Sequence, residues 1–194
     1  MVLINTEPAS SSPARLDAQP LLSIRNVLSR FRRNRGGSTV VEFALIAPMF
    51  LALLFAIIET ALVFFANQVL ETAVQDSARL IQTGQAQNGS YTAAQFKTDV
   101  CTRITTMFDC AGGIYVDVQS YPSFGSVNVA NPIDASKNFT NPNNYNPGGP
   151  GDIVVVRLFY QWPIIVTKFG YDISNLSGSK RLLTATAAFQ NEPF

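Results

Sequence analysis

Residues 35–66 read RGGSTVVEFALIAPMFLALLFAIIETALVFFA, and this apolar run decides the fold. Residues 43–58 carry no charge, but alone they give only about 24 Å of helix. From Ser38 to Glu59 a helix measures about 32 Å, close to the roughly 30 Å thickness of a bilayer's hydrocarbon core. The run is therefore predicted to span a membrane, with Glu42 near the inner face and Glu59 near the outer face.

The charges beside the run predict its orientation. Five arginines precede it with no acid among them: Arg25, Arg30, Arg32, Arg33 and Arg35. Because positive residues flanking a membrane helix stay cytoplasmic, residues 38–60 are predicted to be a single-pass helix with a cytoplasmic N-terminus. Residues 61–194 then form a domain outside the cytoplasm. The net charge of +1 is too small to favour a nucleic-acid partner.

The segment before the run is predicted to be a cytoplasmic basic leader, residues 1–37. Residues 1–20 are rich in Ser and Pro and are expected to be disordered. Residues 21–33 have apolar residues at helical spacing, which fits a short amphipathic helix on anionic lipid. A solvated basic tail explains the charge pattern equally well.

The membrane helix is predicted to continue into the outer domain as far as about Thr83, where Gly84 supplies a stop. Pro48 removes one backbone hydrogen bond and is expected to kink or loosen the membrane half. An apolar stripe is expected to pack the outer half on the domain; its members are Leu62, Phe65, Val69, Ala73 and Leu80.

The rest of the chain predicts an α+β fold with a second helix and an antiparallel sheet of about three or four strands. Thr92 and Gln95 form a capping box for a helix over residues 92–108, whose apolar stripe ends at Met107. Strands are predicted at residues 114–119, 153–161 and 182–190, with Pro163 ending the second strand or placing it at an edge. Half of residues 121–152 are Pro, Gly or Asn, which predicts a long functional or mobile loop.

The composition argues against an enzyme. The chain has no histidine, which removes the commonest general base and imidazole metal ligands. Four acids outside the apolar run are expected to be solvated rather than catalytic: Asp109, Asp117, Asp134 and Asp152. We therefore expect no catalytic residue, no metal site and no cofactor.

Two cysteines, Cys101 and Cys110, are too few for a structural zinc site. Outside the cytoplasm a disulfide between them is the favoured state, and it would add about 2–3 kcal/mol by restricting the unfolded chain. Two free buried thiols are the alternative.

The start of the run carries a resemblance to a known family. Glu42 lies five residues beyond Gly37, a spacing that resembles the processing site of type IV prepilins. The stretch GSTVVEFALIAP at residues 37–48 looks like the N-terminal signature of TadE-like proteins, pseudopilins of the bacterial tight-adherence (Tad) pilus machinery. Similar features are Ile58–Glu59, residues 71–79 and the final residues, 185–194.

The resemblance implies cleavage between Gly37 and Ser38 by a prepilin-type peptidase, which would remove residues 1–37. It also implies assembly of a Tad pilus for adhesion or biofilm formation, at the inner membrane, with a periplasmic or extracellular pilin-like domain. The implied partners are the prepilin peptidase, other Tad pseudopilins, the major pilin, the inner-membrane assembly platform and membrane lipid. Glu42 would then pair with the new amino group of Ser38 in a neighbouring subunit.

Plainer interpretations stay open for each of these residues. Glu42 can sit at headgroup level and pair with an arginine or water. Gly37 can be a flexible hinge. Glu59 can be an interfacial carboxylate or can contact another pseudopilin helix. For the whole chain, the alternative is an uncleaved single-pass membrane protein with an outer sensing or binding domain.

Overall fold

The structure is a computed structural model that describes residues 29, 37–104 and 108–194. The predicted disorder of residues 1–20 and, apart from Ser29, the amphipathic helix of residues 21–33 lie outside it. So does Met107, the last member of the stripe predicted for the second helix. The chain divides into two units, Met1–Ala47 and Pro48–Phe194. The α+β fold predicted from the sequence is confirmed.

The long helix, α1, comprises Ser38–Gln82 and contains Pro48. It ends within one residue of the predicted end because Gly84 adopts the left-handed conformation, with φ of 74°, which a glycine enters without strain. The ring of Phe194 lies directly over the Gly84 Cα, where a Cβ would collide with it. The Glu192 N–H also donates to the Gln82 carbonyl at 2.9 Å, so the chain's last residues cover the end of α1.

The second half of α1 buries a face that overlaps only partly with the predicted one. Ala73 is buried and Val69 and Leu80 are half-buried against the core, as predicted, but Leu62 and Phe65 are exposed. Most of the buried apolar residues follow a residue of the predicted stripe by one position in the sequence. The buried apolar residues are Val63, Ala66, Leu70, Ala73, Val74, Ala78 and Ile81. Hydrophobicity alone could not show which side of the helix is buried here, because the helix is apolar on every side just after the predicted membrane span. Small alanines mark the face on which the domain approaches closely.

Three short helices and the strands complete the domain. Helix α2 is Gln85–Asn88, α3 is Ala93–Arg103 and α4 is Cys110–Gly113. The predicted capping box is confirmed, since the Gln95 N–H donates to the Thr92 side chain while the Gln95 side chain accepts from the Thr92 N–H. Helix α3 is shorter than predicted, because Ile104 already departs from helical geometry.

Among the described residues the sheet has three antiparallel strands in the order β1 (Ile114–Tyr121), β2 (Ile153–Pro163) and β3 (Lys180–Gln190). Pro163 is the last residue of β2, so it ends the strand, and the alternative of an edge position is wrong. One face of β2 packs with α1 and α3 in the main core, through Val154, Val156 and Leu158.

The opposite face of β2 is buried as well, which the sequence did not predict. Phe159 is fully buried on this side and packs with Phe139, at 5.5 Å between ring centroids. Phe139 belongs to the long loop, residues 121–152, which covers this face of the sheet. The same loop runs beside β1, where the Val118 N–H donates to the Asn144 carbonyl at 2.9 Å and the Asn146 N–H donates to the Val118 carbonyl at 2.9 Å. The loop is thus a packed layer of the domain.

An ion pair lies beneath this loop. Asp117 was expected to be solvated, but it has 0% exposure and accepts from Arg157 Nε at 2.9 Å and Nη2 at 2.6 Å. It accepts further hydrogen bonds from the side-chain amides of Gln119 and Asn144. The third donor of Arg157, Nη1, reaches the Ala130 carbonyl at 2.9 Å. Every charged atom is therefore partnered, which is the condition under which a buried ion pair is tolerated.

Breaking this pair should destabilise the domain strongly. We expect Arg157→Ala to lower the free energy of unfolding by about 3–5 kcal/mol, because it leaves the Asp117 carboxylate buried without its counter-charge. The measurement is denaturant unfolding of the detergent-solubilised chain, followed by tryptophan fluorescence.

The chain offers a matched control for that experiment. Arg103 pairs with Asp99 at 3.0 Å on α3, but both side chains are partly exposed. Arg103→Ala should cost no more than about 1 kcal/mol. Equal losses for the two variants would show that burial of the Asp117–Arg157 pair carries no special weight.

Candidate functional site

The predicted cleavage point lies where α1 begins. Ser38 is the first residue of the helix and Gly37 directly precedes it. Gly37 is half-buried, and a Cβ built on it would meet no atom of the described residues within 4 Å. Its φ is not in the left-handed region. Neither crowding by the described residues nor backbone conformation therefore requires a glycine at this position.

Glu42 is exposed on α1, four residues after Ser38. Glu42 therefore lies just beyond the first turn of α1, which contains no acid. The dipole effect decays within one turn, so it contributes little to holding a charge at Glu42.

The first half of α1 is covered with exposed apolar side chains. Those more than half exposed are Val40, Val41, Phe43, Leu45, Ile46, Met49, Phe50, Leu53, Phe55 and Ile57, and Phe64 and Phe65 just beyond the first half are more than half exposed as well. Of the described helices, α1 is the one long and apolar enough to cross a membrane, and only 6% of its most apolar stretch is buried. A helix in a protein core would be mostly buried, so this exposure fits a single-pass membrane anchor.

The comparison with known families covers this same part of the chain. A family model described as TadE-like protein matches residues 37–79. The predicted resemblance to TadE-like proteins is confirmed. No curated protein and no solved structure matches the chain significantly.

The TadE-like segment, residues 37–79, contains Gly37, Glu42 and Glu59. It does not include residues 185–194, whose similarity to the family remains a prediction. The match supports a pseudopilin-like role in Tad pilus assembly in general, in association with other pilus components.

Glu59, at the C-terminal end of the charge-free run, has a structural partner that neither sequence interpretation anticipated. The residue is buried, with 7% exposure, and its carboxylate accepts the backbone N–H groups of Ile165 at 2.5 Å and Val166 at 3.0 Å. These two residues open the connection between β2 and β3. Glu59 therefore joins the TadE-like segment to the domain through charge-assisted hydrogen bonds, which are about twice as strong as neutral ones.

The two cysteines are joined in the structure. Cys101 lies in the last turns of α3 and Cys110 is the first residue of α4, with 5.7 Å between their Cα atoms. The bond spans nine positions and closes the segment that leads into β1. It holds the end of α3 beside the start of β1, and Phe108 within the closed segment packs edge-on against Tyr160 at 4.8 Å.

The remaining acids singled out in the sequence hold turns. Asp109 accepts the Gly112 N–H at the start of α4, and Asp152 accepts the Gly149 N–H at 2.8 Å. Asp134 accepts the Asn138 N–H at 2.7 Å, and this bond is the main reason that its pKa lies below the ordinary value. No group of three or more His, Cys, Asp or Glu side chains that could hold a metal occurs in the described part of the chain.

Two contacts that join distant parts of the chain were not predicted from the sequence, and each has a weak signal there. Arg157 is the one charge within the strand sequence IVVVRLFY, and Asp117 is the one acid within IYVDVQ. Two lone opposite charges in neighbouring apolar strands indicate a buried pair. Glu59 is a lone acid at the edge of an apolar run, but nothing near it in sequence identifies its partner, more than a hundred positions away.

Removing the Glu59 carboxylate should release the start of the β2–β3 connection. In Glu59→Leu the N–H groups of Ile165 and Val166 lose their acceptor, at about 1–3 kcal/mol for each orphaned donor. Hydrogen exchange at these two amides should accelerate, and Glu59→Gln, which keeps one acceptor oxygen, should show a smaller effect. Asp76→Ala on the exposed face of α1 is the control. Unchanged exchange in Glu59→Leu would contradict the assigned role.

Reducing the disulfide should weaken the domain without unfolding α1. A bond that closes a segment of this length contributes about 2–3 kcal/mol, so the double variant Cys101→Ala/Cys110→Ala should lose that much free energy of unfolding. Mass measurement after alkylation under non-reducing conditions checks the bond itself. Two alkylated cysteines in protein isolated from the cell envelope would support free thiols instead.

Proposed function

We propose that this chain is a membrane-anchored pseudopilin that acts in Tad pilus assembly after a prepilin-type peptidase cuts between Gly37 and Ser38. In this proposal the basic leader, residues 1–37, stays cytoplasmic and is removed, and the domain lies outside the inner membrane. The role is structural rather than enzymatic. The mature chain would act with other Tad pseudopilins, the major pilin and the assembly platform.

One observation carries the proposal: Gly37 is a glycine that the described structure does not need. A side chain would fit there, and the backbone is not left-handed. Gly125 is equally unconstrained, so open space alone does not explain a glycine; at Gly37 an extended peptide entering a narrow protease cleft would favour one. The family match also begins at this residue.

Glu42 supports the same proposal by its position. Its carboxylate is exposed on a helix whose neighbouring side chains are apolar, among them Val41 and Phe43. A charge near the bilayer is costly, by about 2.5–3.5 kcal/mol at the centre and less toward the edge. A positive group at the same depth would lower this cost. The new α-amino group of Ser38 on a neighbouring subunit has the right charge and the right level.

The exposed apolar surface of α1 gives the subunit a means of association. Helices in a membrane associate by packing rather than by the hydrophobic effect, because lipid is as apolar as the side chains. A charge pair between Glu42 and a neighbouring amine would therefore choose the partner and the depth of packing. An apolar anchor alone specifies neither.

Gly37→Leu is expected to block cleavage. The chain would be expressed together with a prepilin peptidase, and the mature amino terminus would be sequenced, with Ser38 as the expected first residue. Gly125→Leu is the matched control, because Gly125 also has open space at its Cβ and lies in the long loop. A wild-type chain that keeps residues 1–37 would sink the proposal and favour the uncleaved membrane protein with a sensing or binding domain.

Glu42→Gln should be cleaved normally and fail in pilus assembly, because it keeps the size of the side chain and removes the charge. Glu42→Asp, which keeps the charge, should retain part of the function. Pilus yield and co-purification with the other pilins provide the measurement. Normal assembly by Glu42→Gln would rule out charge pairing with the Ser38 amine.

A further inference from the structure

The connection between β2 and β3 folds back onto α1 at the outer end of its charge-free run. We name its first part, residues 164–171, the collar segment. It is attached to α1 at two consecutive residues: Glu59 accepts the N–H groups of Ile165 and Val166, and the hydroxyls of Thr60 and Tyr171 are 3.1 Å apart. The two ends of the collar segment are thereby fixed at the same level of the helix.

From this level, side chains of the connection reach along α1 into the charge-free run. A groove of about 440 Å³ lies beside α1 and is lined by Phe55, Ile58 and Leu62 of the helix and by Trp162, Pro163 and Ile165. A second groove of about 440 Å³ lies between α1 and Tyr171, and the lining residue nearest the N-terminus of α1 is Leu53. Leu53 precedes Glu59 by six positions, about 9 Å of helix. The domain therefore overlaps the apolar run by one to two helical turns.

The surface chemistry of this overlap suits the boundary of a bilayer. Ile165 is 73% exposed and Tyr171 is 40% exposed, beside the exposed apolar residues of α1. Trp and Tyr are the side chains most favoured at the membrane–water interface. The backbone of the collar segment also suits surroundings of low polarity. Glu59 accepts hydrogen bonds from two of its N–H groups, which would otherwise need water as an acceptor.

We propose that the collar segment lies in the outer interfacial layer of the bilayer, and that lipid acyl chains fill the two grooves beside α1. Lipid is the occupant indicated because both grooves continue the exposed apolar surface of the helix that fits a membrane anchor. The domain would then rest on the membrane with a fixed tilt rather than hang from a free stalk. This inference goes beyond the proposed function and does not depend on cleavage at Gly37.

Trp162 provides a direct test, because it lines the first groove and is the one tryptophan of the chain. The full chain would be placed at one copy per nanodisc in phosphatidylethanolamine and phosphatidylglycerol whose acyl chains carry bromine near either the glycerol end or the methyl end. Shallow bromines should remove most of the emission, deep bromines less, and aqueous acrylamide little. Strong quenching by acrylamide with none by bromine would overturn the proposal.

The same measurement distinguishes lipid from a second copy of the chain. With many copies per vesicle, bromine quenching should persist if lipid occupies the groove. If quenching by shallow bromines falls as the protein density rises, and acrylamide still has no access, a protein partner covers Trp162. That outcome would overturn the assignment to lipid.

A second probe reports on the collar segment itself. The two native cysteines are bonded to each other, so Ile165→Cys introduces a single free thiol for a nitroxide label. The label replaces an exposed side chain and leaves the hydrogen bond of the Ile165 N–H to Glu59 in place. Phe124→Cys is the control, since Phe124 is 62% exposed in the long loop. Relaxation at position 165 should be faster with oxygen than with a water-soluble nickel chelate, and the reverse should hold at position 124. A water-like response at both positions would contradict the proposal.

Discussion

A single helix, α1, has an exposed apolar half that fits a membrane and a second half that packs in the domain. The change between the two falls between Glu59 and Val63. Before Glu59 its large apolar side chains are exposed, as lipid requires. From Val63 onward one face is buried against the domain. The carboxylate of Glu59 stands at the change and binds the backbone of the β2–β3 connection. These hydrogen bonds hold the domain to α1 at this level, and the buried face of α1 holds it further along the helix.

The central strand imposes the second requirement. Because β2 is buried on both faces, each face needs its own cover: helices α1 and α3 on one side and the long loop on the other. Arg157 points into the face under the loop, where an unpaired guanidinium would be costly. Asp117 on the neighbouring strand neutralises it, and the loop carbonyl of Ala130 accepts a hydrogen bond from the third guanidinium nitrogen, Nη1. The loop is rich in Pro, Gly and Asn, yet it is a fixed layer because it completes this network.

Features set by neighbours in sequence could be predicted, and features set by distant contacts could not. The capping box at Thr92 and the left-handed Gly84 are local, so the start of α3 and the end of α1 were predicted closely. The buried face of α1 was predicted only in part, because the helix is apolar on every side near Leu62 and Phe65 and hydrophobicity there does not show which side is buried. Asp117 and Glu59 have partners in other elements, and a sequence shows the charge but not its partner. Gly37 and Glu42 were singled out by their spacing, a local property, and their roles stay predictions.

The hydrogen bonds between β1 and the loop have a consequence for how copies of this chain can meet. Strand β1 is an outer strand of the sheet, and such strands present unpaired backbone groups that invite another chain to add a strand. At Val118 both of these groups are already engaged, by Asn144 and Asn146. The middle of this border is closed to strand addition. Addition of a strand from another chain is thereby blocked at the middle of β1, whereas β3 forms the opposite border of the sheet.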